Sequence, residues 1–182
     1  TQNRVVALFC EKLGYRYLGN LQGLANKNIR EADLLAWLAK RGVSDALAQS
    51  AAKSLQSLNH LGGGRRLYDA NGDIYQLLRY GAKVKMGVGE QTQTVWLVDW
   101  ENPQNNDFSV AEEVSIPGSQ YDKRPDVVLY LNGIAVAVLE LKRSSVSVSE
   151  GIRQNIANQQ REFCETFFTT VQLLFAGNDS EG

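Results

Sequence analysis

Two carboxylates and a lysine stand at the ends of two neighbouring apolar runs. Asp126 precedes Val127 to Leu131, and Glu140 and Lys142 close the run that starts at Ile134. Charged side chains rarely end a core strand without a partner or a task. Two carboxylates held close repel each other, and burial favours their protonation. A divalent cation reverses that balance and holds both ionised. No His or Cys accompanies them in sequence, so the donors are oxygens and suit a hard ion, Mg²⁺ with Mn²⁺ as its substitute. Such a cation can bind a phosphate oxygen, activate a water and stabilise a leaving oxygen. Lys142 would orient or deprotonate that water and offset phosphate charge. The chemistry these residue types predict is metal-assisted phosphodiester hydrolysis. The plain alternative is a solvated Glu-Lys ion pair at a strand end.

The carboxylates can act together only if they share a face. Val127 to Leu131 and Ile134 to Leu139 are continuous Val-, Ile- and Leu-rich runs, the pattern of strands buried on both faces. Asn132-Gly133 between them is a hairpin signal. A two-residue loop pairs Leu131 with Ile134 and puts Asp126 opposite Leu139, on the face away from Glu140. A three-residue loop, with Gly133 in the left-handed region, pairs Tyr130 with Ile134 and brings Asp126 to the face of Glu140 and Lys142. The expectation is therefore a three-residue loop with a glycine bulge, or an equivalent bulge within a strand. A regular two-residue turn without any bulge removes the shared site.

The remaining elements follow from periodicity. Arg4 to Leu13 reads as a helix ended by Gly14. Asn28 with Glu31 is a capping-box-like start for a helix carrying Leu34, Leu35, Trp37 and Leu38. Ser44 or Asp45 opens another helix through about Leu58. Gly62-Gly63-Gly64 is a break without the Gly-Lys-Ser/Thr of a P-loop. Strands are then expected near Leu67-Tyr68, Tyr75 to Leu78, Val84 to Met86, Thr92 to Val98 and Phe108 to Ile116, with a turn at Asn71-Gly72. Glu150 to about Phe163 reads as a helix and Thr169 to Ala176 as a last strand. The order predicts an α/β sandwich with a mixed sheet covered on both sides.

The stretch Arg124-Pro125-Asp126-Val127-Val128-Leu129-Tyr130-Leu131-Asn132-Gly133-Ile134, followed by Leu139-Glu140-Leu141-Lys142-Arg143-Ser144, resembles the N-terminal nuclease domain of the R subunit of type I restriction enzymes. Glu150 to Asn155, Phe167 to Gln172, Ala176 to Asp179, Leu78 to Gly81 and Ala111 to Val114 look like the same family. The match runs over about residues 65 to 182 and more weakly over the helical start. The resemblance implies a restriction-endonuclease-like three-layer sandwich of the PD-(D/E)xK superfamily, with an N-terminal helical insertion. It implies one nuclease domain, mainly helical over 1–60 and sheet-containing over 65–182.

Carried over by position, the resemblance makes Asp126 and Glu140 metal ligands, joined by the carbonyl of Leu141, and Lys142 the catalytic lysine. Some superfamily members carry a Gln-x-x-x-Tyr motif on the next helix. Gln154 matches its Gln as a DNA or active-site contact, while Asn158 stands at the tyrosine position. Glu11 is the candidate for a first-helix acid, although a solvent-facing Glu is the plainer reading. Glu112 and Glu113 point to opposite faces of one strand, so at most one can join the site. The family's R subunit continues into an ATP-driven motor. The chain stops just after its last strand, so it reads as an excised fragment and ATP binding belongs to the missing motor. The implied partners are double-stranded DNA and the methyltransferase and specificity subunits.

Composition bounds the rest. The net charge is −1, which argues against a free-standing, strongly basic DNA binder and suits a catalytic module delivered to DNA by partners. Lys123, Arg124 and Arg143 flank the site and are the candidate DNA contacts, ahead of Arg65-Arg66 and Lys83-Val84-Lys85. No apolar run is long enough to span a membrane. Cys10 and Cys164 are too few for a disulfide framework and form no metal spacing, which fits a cytoplasmic protein. The rival functions are a repair or recombination nuclease of the same superfamily and a non-catalytic DNA-binding or assembly module.

Overall fold

The computed structural model of the chain describes residues 2–180. The strands are β1 (Arg16–Asn20), β2 (Ala82–Val84), β3 (Gln93–Val95), β4 (Phe108–Glu112), β5 (Val127–Leu131), β6 (Ile134–Leu141) and β7 (Leu173–Gly177). The helices are α1 (Gln2–Ala7), which runs on into a π-helical turn at Leu8–Lys12, α2 (Glu31–Lys40), α3 (Asp45–Leu58), α4 (Leu67–Tyr80) and α5 (Val148–Asn158). Five strands form a mixed sheet in the order β1-β4-β5-β6-β7; β2 and β3 form a separate antiparallel pair. β1 lies parallel to β4 and β7 parallel to β6, while β4, β5 and β6 are antiparallel neighbours.

The two apolar runs form the middle of the sheet because both faces are covered. On one face Val127, Leu129, Ala137 and Leu139 pack beneath Val5, Val6, Phe9 and Cys10 of the first helix. On the other, Val128, Tyr130, Ala135 and Val138 pack with Cys164, Phe167 and Phe168. A further cluster joins α2, α3 and α4 to the β2–β3 pair and reaches Ile134 and Val136 at the start of β6.

The hairpin differs from the three-residue loop expected for it. Leu131 pairs with Ile134 across Asn132-Gly133, both at positive φ (52° and 81°), which is the mirror-image two-residue turn that matches strand twist. The extra residue sits inside β6 instead. Tyr130 pairs with Ala135, but Leu129 pairs with Ala137, so Val136 is bulged. Its carbonyl accepts from Gln172 N at 2.9 Å, where the chain enters β7. The bulge reverses alternation beyond it: Ala135 and Val138, three apart, pack on one face and Ala137 on the other.

Three other expectations are corrected. Residues 67–80 are helical, not two strands around an Asn71-Gly72 turn. The buried Ala70, Ile74 and Leu78 recur every four residues, and Asn71 Nδ2 donates to the carbonyls of Thr169 and Val171 at 3.0 and 2.8 Å instead of shaping a turn. β1 was unexpected, and it places a sheet strand inside the stretch read as mainly helical. Asn28 does not cap α2: Arg30 holds that position, and the buried Asn28 amide donates to Asn59 Oδ1 at 2.7 Å and Thr169 Oγ1 at 3.1 Å.

The turn is held from outside the hairpin. Fully buried Asn132 donates to Leu97 O at 2.9 Å and Asn106 Oδ1 at 2.8 Å, and accepts from Asp107 N at 2.7 Å. A Cβ on Gly133 would meet Arg30 O at 2.7 Å and Leu34 N at 2.9 Å. Gly133→Ala is therefore expected to cost about 2 kcal/mol or more from backbone strain and overlap together. Urea unfolding measures this; a loss within about 0.5 kcal/mol would contradict the tight turn.

Candidate active site

Beyond the bulge Val127 pairs with Leu139, which sets Asp126 level with Glu140 on one face. Glu140 is fully buried, and Asp126 and Lys142 are half-buried beside it. Asp126 Oδ2 accepts from Leu141 N at 2.6 Å. A strand residue turns its N–H and C=O toward the same neighbour, so the Leu141 carbonyl faces that side too. Lys142 Nζ donates to Gln154 Oε1 at 2.5 Å, which ties it to α5.

The helix comes this close because of its inner residues. Ser147 opens it, its hydroxyl accepting from Ser149 N. A Cβ on Gly151 would lie 3.4 Å from Glu140 O and 3.1 Å from Ala176 Cβ. Asn158 Nδ2 reaches Glu140 Oε1 at 3.4 Å, so the tyrosine position of the resembled motif carries an amide facing the carboxylate.

Burial governs the electrostatics. Desolvation first, and the nearby Asp126 charge second, push the Glu140 pKa up to about 8 against a partial offset from Lys142. The Asp126 pKa is also raised by burial, opposed by the Leu141 N–H bond. Glu140 Oε2 has no hydrogen-bond partner among the described residues. An unpaired, buried carboxylate oxygen beside a second carboxylate fits a hard cation. No group of three or more His, Cys, Asp or Glu side chains placed to hold a metal occurs among the described residues; the oxygens that could hold a cation here are those of Asp126, Glu140 and the Leu141 carbonyl.

The other candidates separate. Glu113 lies next to Asp126, its N–H bonded to Asp126 O at 2.9 Å. Its charge reaches both Asp126 and Glu140, while its carboxylate pairs with Arg124 at 2.8 Å. Glu112 bonds Gln2 and Tyr17 instead. Glu11 is exposed on the π-helical turn, whose neighbouring residues cover the opposite sheet face. Lys123 Nζ sits 3.7 Å over the Phe163 ring, and Arg143 is exposed. Sequence reasoning missed the Asn158 contact with Glu140. A cavity of about 640 Å³ lies elsewhere, lined by Trp37, Arg41, Arg79, Trp96, Asp99 and Trp100, and contains none of these residues. No helix among the described residues is long and apolar enough to cross a membrane.

The family described as type I restriction enzyme R protein N terminus matches residues 1–182, and the chain belongs to it. The chain is 32% identical over 112 residues to the type I restriction enzyme HindI endonuclease subunit of Haemophilus influenzae, covering 58% of this chain and 10% of that protein. It is 29% identical over 106 residues to a Methanocaldococcus jannaschii protein named for the type I restriction enzyme MjaVIIP, covering 57% and 10%. The matched stretch thus spans 10% of the length of these curated relatives.

A carboxyl whose pKa is raised on folding binds its proton more tightly when folded, so its stabilising contribution is complete below the ordinary value and is lost as pH rises through the folded one. For Glu140 that window runs from about 4.5 to about 8. Without divalent cations, stability should fall across this range, and Glu140→Gln should flatten the slope. Urea midpoints at several pH values test this; an unchanged slope in the variant would contradict it.

Proposed function

We propose that this member of the family is the Mg²⁺-dependent endonuclease domain of a type I restriction R subunit, hydrolysing phosphodiester bonds of double-stranded DNA by metal-activated water. The observation that carries the reading is the alignment of buried Glu140 with Asp126 on one face, beside Lys142. The relatives' names as endonuclease subunits support it. The mixed sheet with α1 on one face and α5 on the other supports a restriction-endonuclease-like three-layer sandwich, read as one nuclease domain.

Asp126, Glu140 and the Leu141 carbonyl would hold the cation. When bound, it neutralises phosphate charge and lowers the pKa of a water. The chain's own groups do the rest. The Leu141 N–H fixes one Asp126 oxygen and leaves the other for binding. Gln154 holds the Lys142 ammonium at the carboxylate pair, where it can donate to a phosphate oxygen or orient the attacking water. Arg143 is exposed for the DNA backbone, whereas Lys123 and Arg124 must share their charge with Phe163 and Glu113.

Target recognition would lie with the specificity and methyltransferase subunits. ATP-driven translocation by the rest of the R subunit would precede cleavage, in the cytoplasm. In the assembled enzyme, Lys142→Ala should lower cleavage by at least about a hundredfold and leave ATP hydrolysis unchanged. Paired cleavage and ATPase assays test this. Undiminished cutting would contradict the role of Lys142, and loss of both activities would indicate a folding or coupling role.

A further inference from the structure

The inner face of α5 is made of amides and a glycine. Gly151, Asn155 and Asn158 are buried, whereas Ile152 and Ile156 are 50% and 59% exposed. This inverts the usual amphipathic helix and turns polar groups toward the carboxylate end of β6. Gly151 sets the close approach. Asn155 Nδ2 donates to Phe175 O at 2.9 Å and ties the helix to β7. Asn158 ends the helix, its carbonyl accepting from Cys164 N at 3.2 Å. Its side chain is 1% exposed, and its Oδ1 has no hydrogen-bond partner among the described residues. A buried amide with an unpaired carbonyl is costly, so folding alone would favour an aliphatic side chain there. Among the described residues, the polar contact its Nδ2 makes is with Glu140 Oε1.

We propose that Asn158 is a positioning residue: its amide N–H holds Glu140 by Oε1 and so presents the unpaired Oε2, already oriented, to the divalent cation. This rests on the proposed function, because it assumes a cation at Asp126 and Glu140. Partners that orient a metal ligand from outside the ligand shell contribute about ten- to a hundredfold in metal affinity, and that is the effect expected of Asn158.

The test is Mn²⁺ titration by calorimetry on the parent, Asn158→Leu and Asn158→Ala, with urea unfolding of each. Leucine keeps the branched outline at a somewhat larger volume and removes both the donor and the unpaired carbonyl, and alanine serves if leucine is not accommodated. The expected result is a folded variant with a urea midpoint close to the parent's that binds Mn²⁺ at least about tenfold more weakly. A folded variant that binds as tightly as the parent would overturn the positioning role and leave the proposed function standing. A parent that binds no Mn²⁺ would overturn both.

Discussion

Side chains on a strand alternate between faces, and one inserted residue reverses that alternation for everything beyond it. In β6 the inserted residue is Val136. Without it, the two-residue turn at Asn132-Gly133 would set Asp126 level with Leu139, and Glu140 would face the first helix. With it, Glu140 and Lys142 join Asp126 on the face that α5 covers. The bulge is embedded: its carbonyl bonds Gln172 at the entry to β7, and its side chain packs against the helical cluster. That connection gives the N-terminal helices a role. α2 closes on the turn through Arg30 N to Gly133 O at 2.7 Å, so the part of the chain without chemistry holds the register of the part with it.

The same geometry imposes an electrostatic cost. Glu140 is fully buried beside the half-buried Asp126, and among the described residues the compensation is limited: a backbone N–H to Asp126, an amide to Glu140 and a lysine shared with Gln154. Burial therefore pushes both carboxyls toward protonation. A site arranged this way is poorly satisfied alone and well matched to a dication. The inverted polarity of α5 belongs to this pattern, since an apolar inner face would leave Glu140 with still fewer partners.

Much of this was legible in the residues. Continuous apolar runs with Asn-Gly between them identified the central strands, and the spacing of Asp126 and Glu140 required an extra residue somewhere in the hairpin. Its location was not legible, because Asn-Gly supports the two-residue turn equally well and Val136 has no local signature among its apolar neighbours. The helix at 67–80 was misread because Asn71-Gly72 mimics a turn and Tyr68, Tyr75 and Tyr80 suggest strands; all three tyrosines are exposed, and tertiary packing of Ala70, Ile74 and Leu78 overrides propensity. β1 was missed because Arg16-Tyr17-Leu18-Gly19-Asn20 is short and half-exposed, and its pairing with β4 is long-range. The amide face of α5 escaped because buried asparagines give no hydrophobic period.

If the Val136 bulge brings Asp126 and Glu140 into one divalent-cation site, Mn²⁺ should bind there. The most direct measurement is anomalous diffraction at the manganese edge from crystals of this chain soaked in Mn²⁺. The expected result is a peak at the Asp126 and Glu140 carboxylates, on the side the Leu141 carbonyl faces. A peak only elsewhere, or Asp126 and Glu140 on opposite faces of the sheet, would contradict it.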